Sequence, residues 1–156
     1  MNSRKFIKRI NRIPGSVIEI ALSNNSYTYG LLVQDHLIAF LDGCFFERQE
    51  LKHINILSVL FITYVDRSAI RSGNWSIVGV IELPEVLTYP PKFFKFDRMS
   101  EQYFIYQEVA SLAPSYQRPA TKEECSGLER LVVWGQEGIE DRLRRHYECL
   151  SEFKTH

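Results

Sequence analysis

The sequence lacks the features that would assign it to a secreted, membrane-bound or repetitive class of protein. Its three cysteines lie far apart, and an odd count without close pairs argues against a secreted disulfide framework. Its longest apolar stretch, residues 54–65, contains polar residues and is much shorter than the roughly 20 residues that a membrane span requires. No internal repeat and no low-complexity segment is present. We therefore expect a cytoplasmic protein without membrane contact.

An excess of one charge sign is also absent. Lys and Arg total 19 and Asp and Glu total 19, so the formal net charge is zero. This balance excludes a globally basic nucleic-acid-binding protein and predicts no tight binding to nucleic acid. The charges are nevertheless uneven, because residues 1–78 hold nine basic and six acidic residues. Much of that excess lies in a basic N-terminal arm, residues 1–13, which would form a short helix.

Catalytic and cofactor-binding motifs are missing as well. The sequence contains no glycine-rich phosphate loop, no G-x-S-x-G and no H-E-x-x-H. His146 and Cys149 lie three residues apart on a predicted helix, but a zinc site needs three or four ligands. Cys44 could act as a nucleophile with His36 or His53 as its base, although a buried, inert thiol is the commoner role of a lone cysteine. We therefore predict no enzymatic activity, no metal site and no cofactor.

What the sequence does have is the composition of a folded, aromatic-rich protein. Apolar residues make up 45% of the chain and aromatic residues 13%, which excludes disorder over most of its length. A chain of 156 residues predicts one domain over residues 1–156, since a domain takes roughly 100–200 residues. Within it, residues 14–110 are expected to be mainly β and residues 120–152 helical.

Strand signals fill the first two thirds of the chain. Runs of β-branched and aromatic residues alternate with polar residues and are separated by turn residues. On the strand that begins at Trp75, Ile77 and Gly79 follow in phase, so the indole ring is expected to face the core. The strands are predicted at residues 17–22, 27–33, 36–41, 54–64, 75–83, 93–96 and 103–106.

Helical periodicity begins at Thr121, where Thr121 and Glu124 fit a capping box. Apolar residues then recur at steps of three and four, and Gly135 stands where a helix C-terminal glycine would. A second helix is predicted from about Glu137 to Leu150. Because strands come first and helices last, the predicted fold is α+β, with an antiparallel, strongly bent, barrel-like sheet and a C-terminal helical pair.

The aromatic pairs allow an alternative function. Tyr27 and Tyr29 share one face of a predicted strand, as do Phe94 and Phe96, and such rings can stack on the bases of single-stranded nucleic acid. The alternative is therefore a small nucleic-acid-binding or regulatory module that uses the basic arm and an aromatic sheet face. Core packing is the favoured use of these rings.

Several strand motifs, read in order, resemble a known family. Residues 14–22 (PGSVIEIAL) and 27–30 (YTYG) are followed by residues 73–79 (GNWSIVG) and 90–95 (PPKFFK). This series resembles the immunity protein 26 family of bacterial polymorphic-toxin systems, although Ala21 stands where that family often has proline. The resemblance implies a small cytoplasmic protein that binds and neutralises a cognate toxin domain by covering its active site. It implies no catalytic residues.

Acidic residues are the predicted contacts with such a toxin. Nucleases are one candidate toxin class, and their substrate clefts are basic, so an acidic surface would complement them. A group of acids near predicted helix starts already has capping roles, whereas acids in loops are available to a partner. The predicted partner-binding residues are therefore Asp35, Asp42, Glu47 and Glu50.

Overall fold

The computed structural model describes residues 13–22, 25–72, 74–108 and 116–153, with side chains up to residue 149. Apart from Ile13, the predicted basic arm lies outside these ranges. Two single-turn 3-10 helices lie in the connections, at Leu51–His53 and Glu85–Leu87. In chain order the other elements are β1 (Ser16–Leu22), β2 (Ser26–Gln34), β3 (Leu37–Leu41), β4 (Val59–Val65), α1 (Ser68–Arg71), β5 (Ser76–Val80), β6 (Phe93–Asp97), β7 (Gln102–Gln107), β8 (Tyr116–Ala120), β9 (Glu129–Arg130), β10 (Val133–Trp134) and α2 (Gln136–Phe153).

Six strands form the first sheet, in the order β10-β4-β3-β2-β1-β5. Neighbouring strands are antiparallel except for β10, which runs parallel to β4. Asn25, directly before β2, and Asp35, between β2 and β3, adopt φ angles of 53° and 21°. All five residues of β3 are buried, so the centre of this sheet is covered on both faces.

A second sheet of four strands, β8-β7-β6-β9, packs on one face of the first. Phe93 of β6 is buried between the sheets, and its ring centre lies 5.3 Å from that of Tyr64 on β4. The next residue, Phe94, points to the opposite side and packs with Ile105 and Cys125 in a separate small core. The two sheets are thus joined through aromatic side chains of β4 and β6.

Helix α2 covers the other face of the first sheet. Ile139 and Leu143 are fully buried there, and Tyr147 packs beside them, as the predicted helical stripe requires. Trp75, just before β5, is buried in the same core, and its indole Nε1 donates a hydrogen bond of 3.3 Å to Glu140. The predicted second helix and the predicted inward orientation of Trp75 are therefore confirmed.

The predicted helical pair is wrong. Thr121 and Glu124 do form the predicted capping box, through two hydrogen bonds of 3.2 Å, but no helix follows. Gly127 adopts a φ angle of +82°, which ends the turn, and the chain then pairs as β9 and β10. Gly135 comes immediately before α2 and caps no preceding helix.

The barrel-like sheet is also wrong, because both sheets are open. The first ends at β10 and β5, and the second at β8 and β9. β6 pairs with β7 and β9 rather than with β5, so the strand series is divided between two sheets. The strand predicted over residues 54–64 is shorter, since the Asn55 side chain accepts a hydrogen bond from the Leu57 N–H in a turn before β4.

Candidate partner-binding surface

The connection between β3 and β4, residues 42–58, is held against the first sheet by backbone hydrogen bonds. Phe45 and Tyr27 exchange two of them, at 2.7 and 2.9 Å, as an isolated antiparallel bridge. At the start of the connection the Asp42 N–H donates to the Ser58 carbonyl at 2.8 Å. The connection is therefore fixed both at its base and along its length. We call residues 42–50 of it the β3–β4 loop.

Tyr147 of α2 ties the first part of this loop to the helix. Its hydroxyl accepts a hydrogen bond of 3.0 Å from the Gly43 N–H and donates to the Gly43 carbonyl at 3.1 Å. Thr28 of β2 donates to the same carbonyl at 2.8 Å. Burial raises the pKa of the Tyr147 hydroxyl, so this group stays a neutral donor and acceptor.

Tyr29 of β2 ties the second part of the loop to the sheet. Its hydroxyl accepts a hydrogen bond of 2.8 Å from the Gln49 N–H and donates to Glu19 at 3.1 Å. Glu19 in turn forms an ion pair of 3.1 Å with Arg48 of the loop. Burial raises the pKa of Tyr29 as well. Tyr29, which is buried, and Tyr147, which is partly buried, thus hold the loop through their hydroxyl groups.

The structure separates Asp35 from the other predicted contact residues. Asp35 lies in the turn before β3, and Asp42 follows the end of the same strand. Seven extended residues span roughly 20 Å, so the two carboxylates lie at opposite ends of the sheet. Asp35 also forms an ion pair with Arg67, whose hydrogen bond lowers the pKa of the Asp35 carboxyl.

Asp42, Glu47 and Glu50 do lie in one loop and are all exposed. Glu50 forms an ion pair of 3.2 Å with Lys52, in which both side chains are largely exposed and therefore screened by solvent. Within the described residues, Asp42 and Glu47 have no ion-pair partner. The loop therefore presents two carboxylates whose charge is not balanced within the described part of the chain.

A large exposed apolar residue, Phe46, stands between Asp42 and Glu47 in the chain. Phe46 is 83% exposed, whereas the neighbouring Phe45 packs against the core beside Tyr29. Beside Phe46 is a cleft of about 170 Å³, lined by Leu22, Ser26, Cys44, Phe46, Arg144, Tyr147 and Glu148. We call Asp42, Phe46, Glu47 and this cleft the loop surface.

Phe46 was missed by the sequence reasoning, although a signal for it exists. Phe45 and Phe46 follow the turn residues Asp42 and Gly43, and loops that leave a strand are where exposed side chains concentrate. The acids, in contrast, were identified from their loop positions alone. Two of these acids form ion pairs, Glu50 with Lys52 and Asp35 with Arg67. The sequence alone does not show these pairings.

The rings proposed for base stacking are used in packing. Tyr29 is 1% exposed, and Tyr27 is half-buried, with the Arg48 guanidinium 5.5 Å from its ring centre. Phe94 packs in the small core of the second sheet, and Phe96 packs on Tyr103 with ring centres 4.6 Å apart. No continuous row of open rings results from these four residues.

The candidate nucleophile Cys44 and the candidate metal ligands can be placed in the described ranges. No hydrogen bond there joins Cys44 to His36 or His53, and His36 lies at the far end of β3, with its ring against Tyr64. Burial raises the pKa of the Cys125 thiol, which disfavours the reactive thiolate. No group of three or more His, Cys, Asp or Glu side chains comes together there in a way that could hold a metal ion. None of the described helices combines the length and the apolar character that crossing a membrane requires.

Comparison with known proteins gives one family. The family model of immunity protein 26 matches residues 13–105, which is more than half of the chain and extends from the start of β1 into β7. No curated protein and no solved structure matches the chain. The matched region contains the whole β3–β4 loop.

Proposed function

The chain belongs to the immunity protein 26 family, and from this premise we propose that it binds and neutralises a cognate toxin domain by covering the toxin's active site. The observation that supports this mechanism most is the positioned β3–β4 loop. The hydroxyls of Tyr29 and Tyr147 and a two-hydrogen-bond bridge hold it, so little conformational entropy is lost when it meets a partner. A preformed loop with exposed side chains is suited to binding.

The charge of the loop supports a basic partner. Asp42 and Glu47 have unbalanced carboxylates, and Glu50 adds a third whose pairing with Lys52 is screened. An acidic surface speeds encounter with a basic cleft and disfavours acidic partners. A basic active-site cleft of the kind that nucleases use to bind phosphate fits this surface, so we propose a nuclease domain as the toxin.

Growth protection tests this function. Candidate toxin domains, chosen from the genes that flank the gene for this protein, are produced in a bacterial host, with and without this protein. We expect growth to stop with the toxin domain alone and to resume when the two are produced together. Failure of the unaltered, folded protein to restore growth or to bind the purified toxin domain would contradict the proposal.

Charge reversal locates the contact surface. The triple variant Asp42→Lys, Glu47→Lys, Glu50→Lys is expected to lose most of its affinity for the toxin domain at an unchanged melting temperature, because the three side chains are exposed. The single variant Asp35→Lys serves as the comparison at the far end of the sheet and is expected to keep its affinity. Equal affinity of the triple variant and the unaltered protein would overturn the assignment of these acids.

A further inference from the structure

Phe46 is an exposed apolar side chain next to a residue that is fixed by the fold. The backbone of Phe45 is bridged to Tyr27 and its ring packs 6.0 Å from that of Tyr29. The chain bends at Phe46, directly after the bridged Phe45, and leaves the Phe46 ring 83% exposed. The ring is therefore available to a partner.

The cleft beside Phe46 provides a complementary recess. Leu22, Cys44, Phe46 and Tyr147 give it apolar surface, and Ser26, Arg144 and Glu148 add polar and charged groups to its lining. Its volume of about 170 Å³ exceeds the roughly 150 Å³ that holds one benzene molecule in an engineered protein cavity. The cleft is thus large enough for one apolar side chain of a partner.

The charges around the ring define the chemistry of that partner. Asp42 and Glu47 precede and follow Phe46 in the loop, and neither is balanced by a cation within the described ranges. A protein that accepts Phe46 must therefore present an apolar pocket whose border is basic. A partner with an apolar pocket in an acidic surface would be repelled.

We propose that Phe46 is the apolar anchor of toxin binding: its ring enters a pocket that lies within the basic cleft of the toxin domain, and the adjacent cleft receives an apolar side chain of the toxin. This inference rests on the proposed function, and it adds which residue supplies the binding energy. Large side chains in the centre of an interface commonly dominate its affinity, while the surrounding charges set the rate of encounter.

The test compares Phe46→Ala with Tyr89→Ala, which removes another exposed aromatic side chain, 70% exposed and outside the loop. Affinity and rate constants are measured with the purified toxin domain of the neighbouring gene. We expect Phe46→Ala to weaken binding by about 30-fold or more, mainly through faster dissociation and independently of salt. Tyr89→Ala is expected to bind as the unaltered protein does. Both variants should keep the melting temperature, because neither ring is buried.

The acidic neighbours give a second readout. Asp42→Asn with Glu47→Gln is expected to slow association at low salt and to remove most of its salt dependence, whereas Phe46→Ala leaves both unchanged. If the unaltered protein binds and Phe46→Ala binds within twofold of it, the anchor assignment is overturned and the proposed function stands. If the unaltered protein does not bind the toxin domain, the proposed function is overturned and the anchor assignment with it.

Discussion

At the scale of single residues, Trp75 joins the first sheet to α2. The indole is 1% exposed, meets the ring of Phe40 edge-on with centres 6.1 Å apart, and donates its N–H to Glu140 of the helix. A buried tryptophan generally needs such a partner for its N–H. Trp75 therefore combines a large apolar contribution with one polar contact that fixes the helix against the sheet.

Replacing Trp75 by alanine tests this role. We expect Trp75→Ala to lower the free energy of unfolding by about 3–5 kcal/mol, because it leaves a large cavity and removes one hydrogen bond to Glu140. Urea unfolding measures the change, and Met99→Ala, which removes an exposed side chain, is the matched control with no expected effect. An unchanged stability of Trp75→Ala would show that the ring does not pack in the core.

Tyr64 makes stability dependent on alkaline pH. Burial and a 2.7 Å hydrogen bond to Glu108 raise the pKa of its hydroxyl well above the ordinary value of 10.0. Because the folded pKa is raised, the stability from this group is complete below about pH 10 and is lost as the pH rises toward the folded pKa.

The expected result is a free energy of unfolding that falls above pH 10. One tyrosine contributes a slope of up to about 1.4 kcal/mol per pH unit. Tyr64→Phe is expected to make this decline shallower, while Tyr29, Tyr147 and Cys125 still contribute to it, since burial raises the pKa of all three. Denaturant unfolding of both proteins from pH 8 to 11.5 provides the measurement. Identical slopes would contradict the account of Tyr64.

The sequence predicts the burial of a residue where strand alternation determines it. It does not predict contacts between residues that are far apart in the chain. The alternation after Trp75 was sufficient to place its ring in the core. Nothing in the sequence indicates that Arg67 lies against Asp35, 32 residues away, or that Tyr147 lies under Gly43, 104 residues away. Such pairs arise from the arrangement of whole elements.

At the scale of elements, residues 121–134 show how strand pairing overrides a local helix signal. The capping box forms, but the following residues pair in parallel with two strands that lie far earlier in the chain, β6 and β4. Leu131 then packs in the core between the sheets. Over so short a stretch, the same spacing of apolar residues fits both a helix and a turn followed by short strands. Periodicity alone therefore does not distinguish these two structures. The longer α2 has no competing strand partner and was predicted correctly.

Arg142 connects α2 to β9. Its guanidinium forms two hydrogen bonds to Glu129 of β9, at 3.0 and 2.5 Å, and its carbon lies 3.6 Å from the centre of the Phe61 ring. A planar guanidinium can make both contacts at once, whereas an ammonium cannot. The geometry therefore requires arginine at this position.

We expect Arg142→Lys to lower the free energy of unfolding by about 1–2 kcal/mol, through loss of the second hydrogen bond and of the contact with Phe61. Arg130→Lys, at an exposed position in β9, is the matched control and should change stability by less than about 0.5 kcal/mol. Chemical denaturation separates the two variants. If Arg142→Lys were as stable as Arg130→Lys, a lysine ammonium would be able to replace the arginine beside Glu129.

At the scale of the whole molecule, the matched family region and the folded core do not coincide. The family model ends at residue 105, but Ile139 and Leu143 of α2 are fully buried in the core with β1 and β3. Residues beyond the matched region therefore complete one face of the first sheet. A single domain over residues 1–156 stays a prediction from length.

The zero net charge and the packing of the aromatic rings predict that the protein does not bind nucleic acid tightly. The net charge is zero, and Tyr27, Tyr29 and Phe94 pack against core residues, which leaves Phe96 as the exposed member of the four rings. Because affinity for nucleic acid depends on how many phosphates are neutralised, we expect no sub-micromolar binding to single- or double-stranded DNA or RNA at physiological salt. Fluorescence anisotropy with labelled oligonucleotides measures this. Tight, salt-dependent binding would favour the nucleic-acid-binding alternative.

The central claim is that this chain neutralises a toxin domain through the loop surface, and inhibition of the toxin's own activity tests it most directly. A fixed amount of the purified toxin domain of the neighbouring gene is titrated with the protein while toxin activity is followed. The account predicts that activity falls linearly to zero at one equivalent, and that Phe46→Ala must be added in large excess to reach the same inhibition. Full toxin activity in the presence of a saturating excess of the unaltered protein would contradict it.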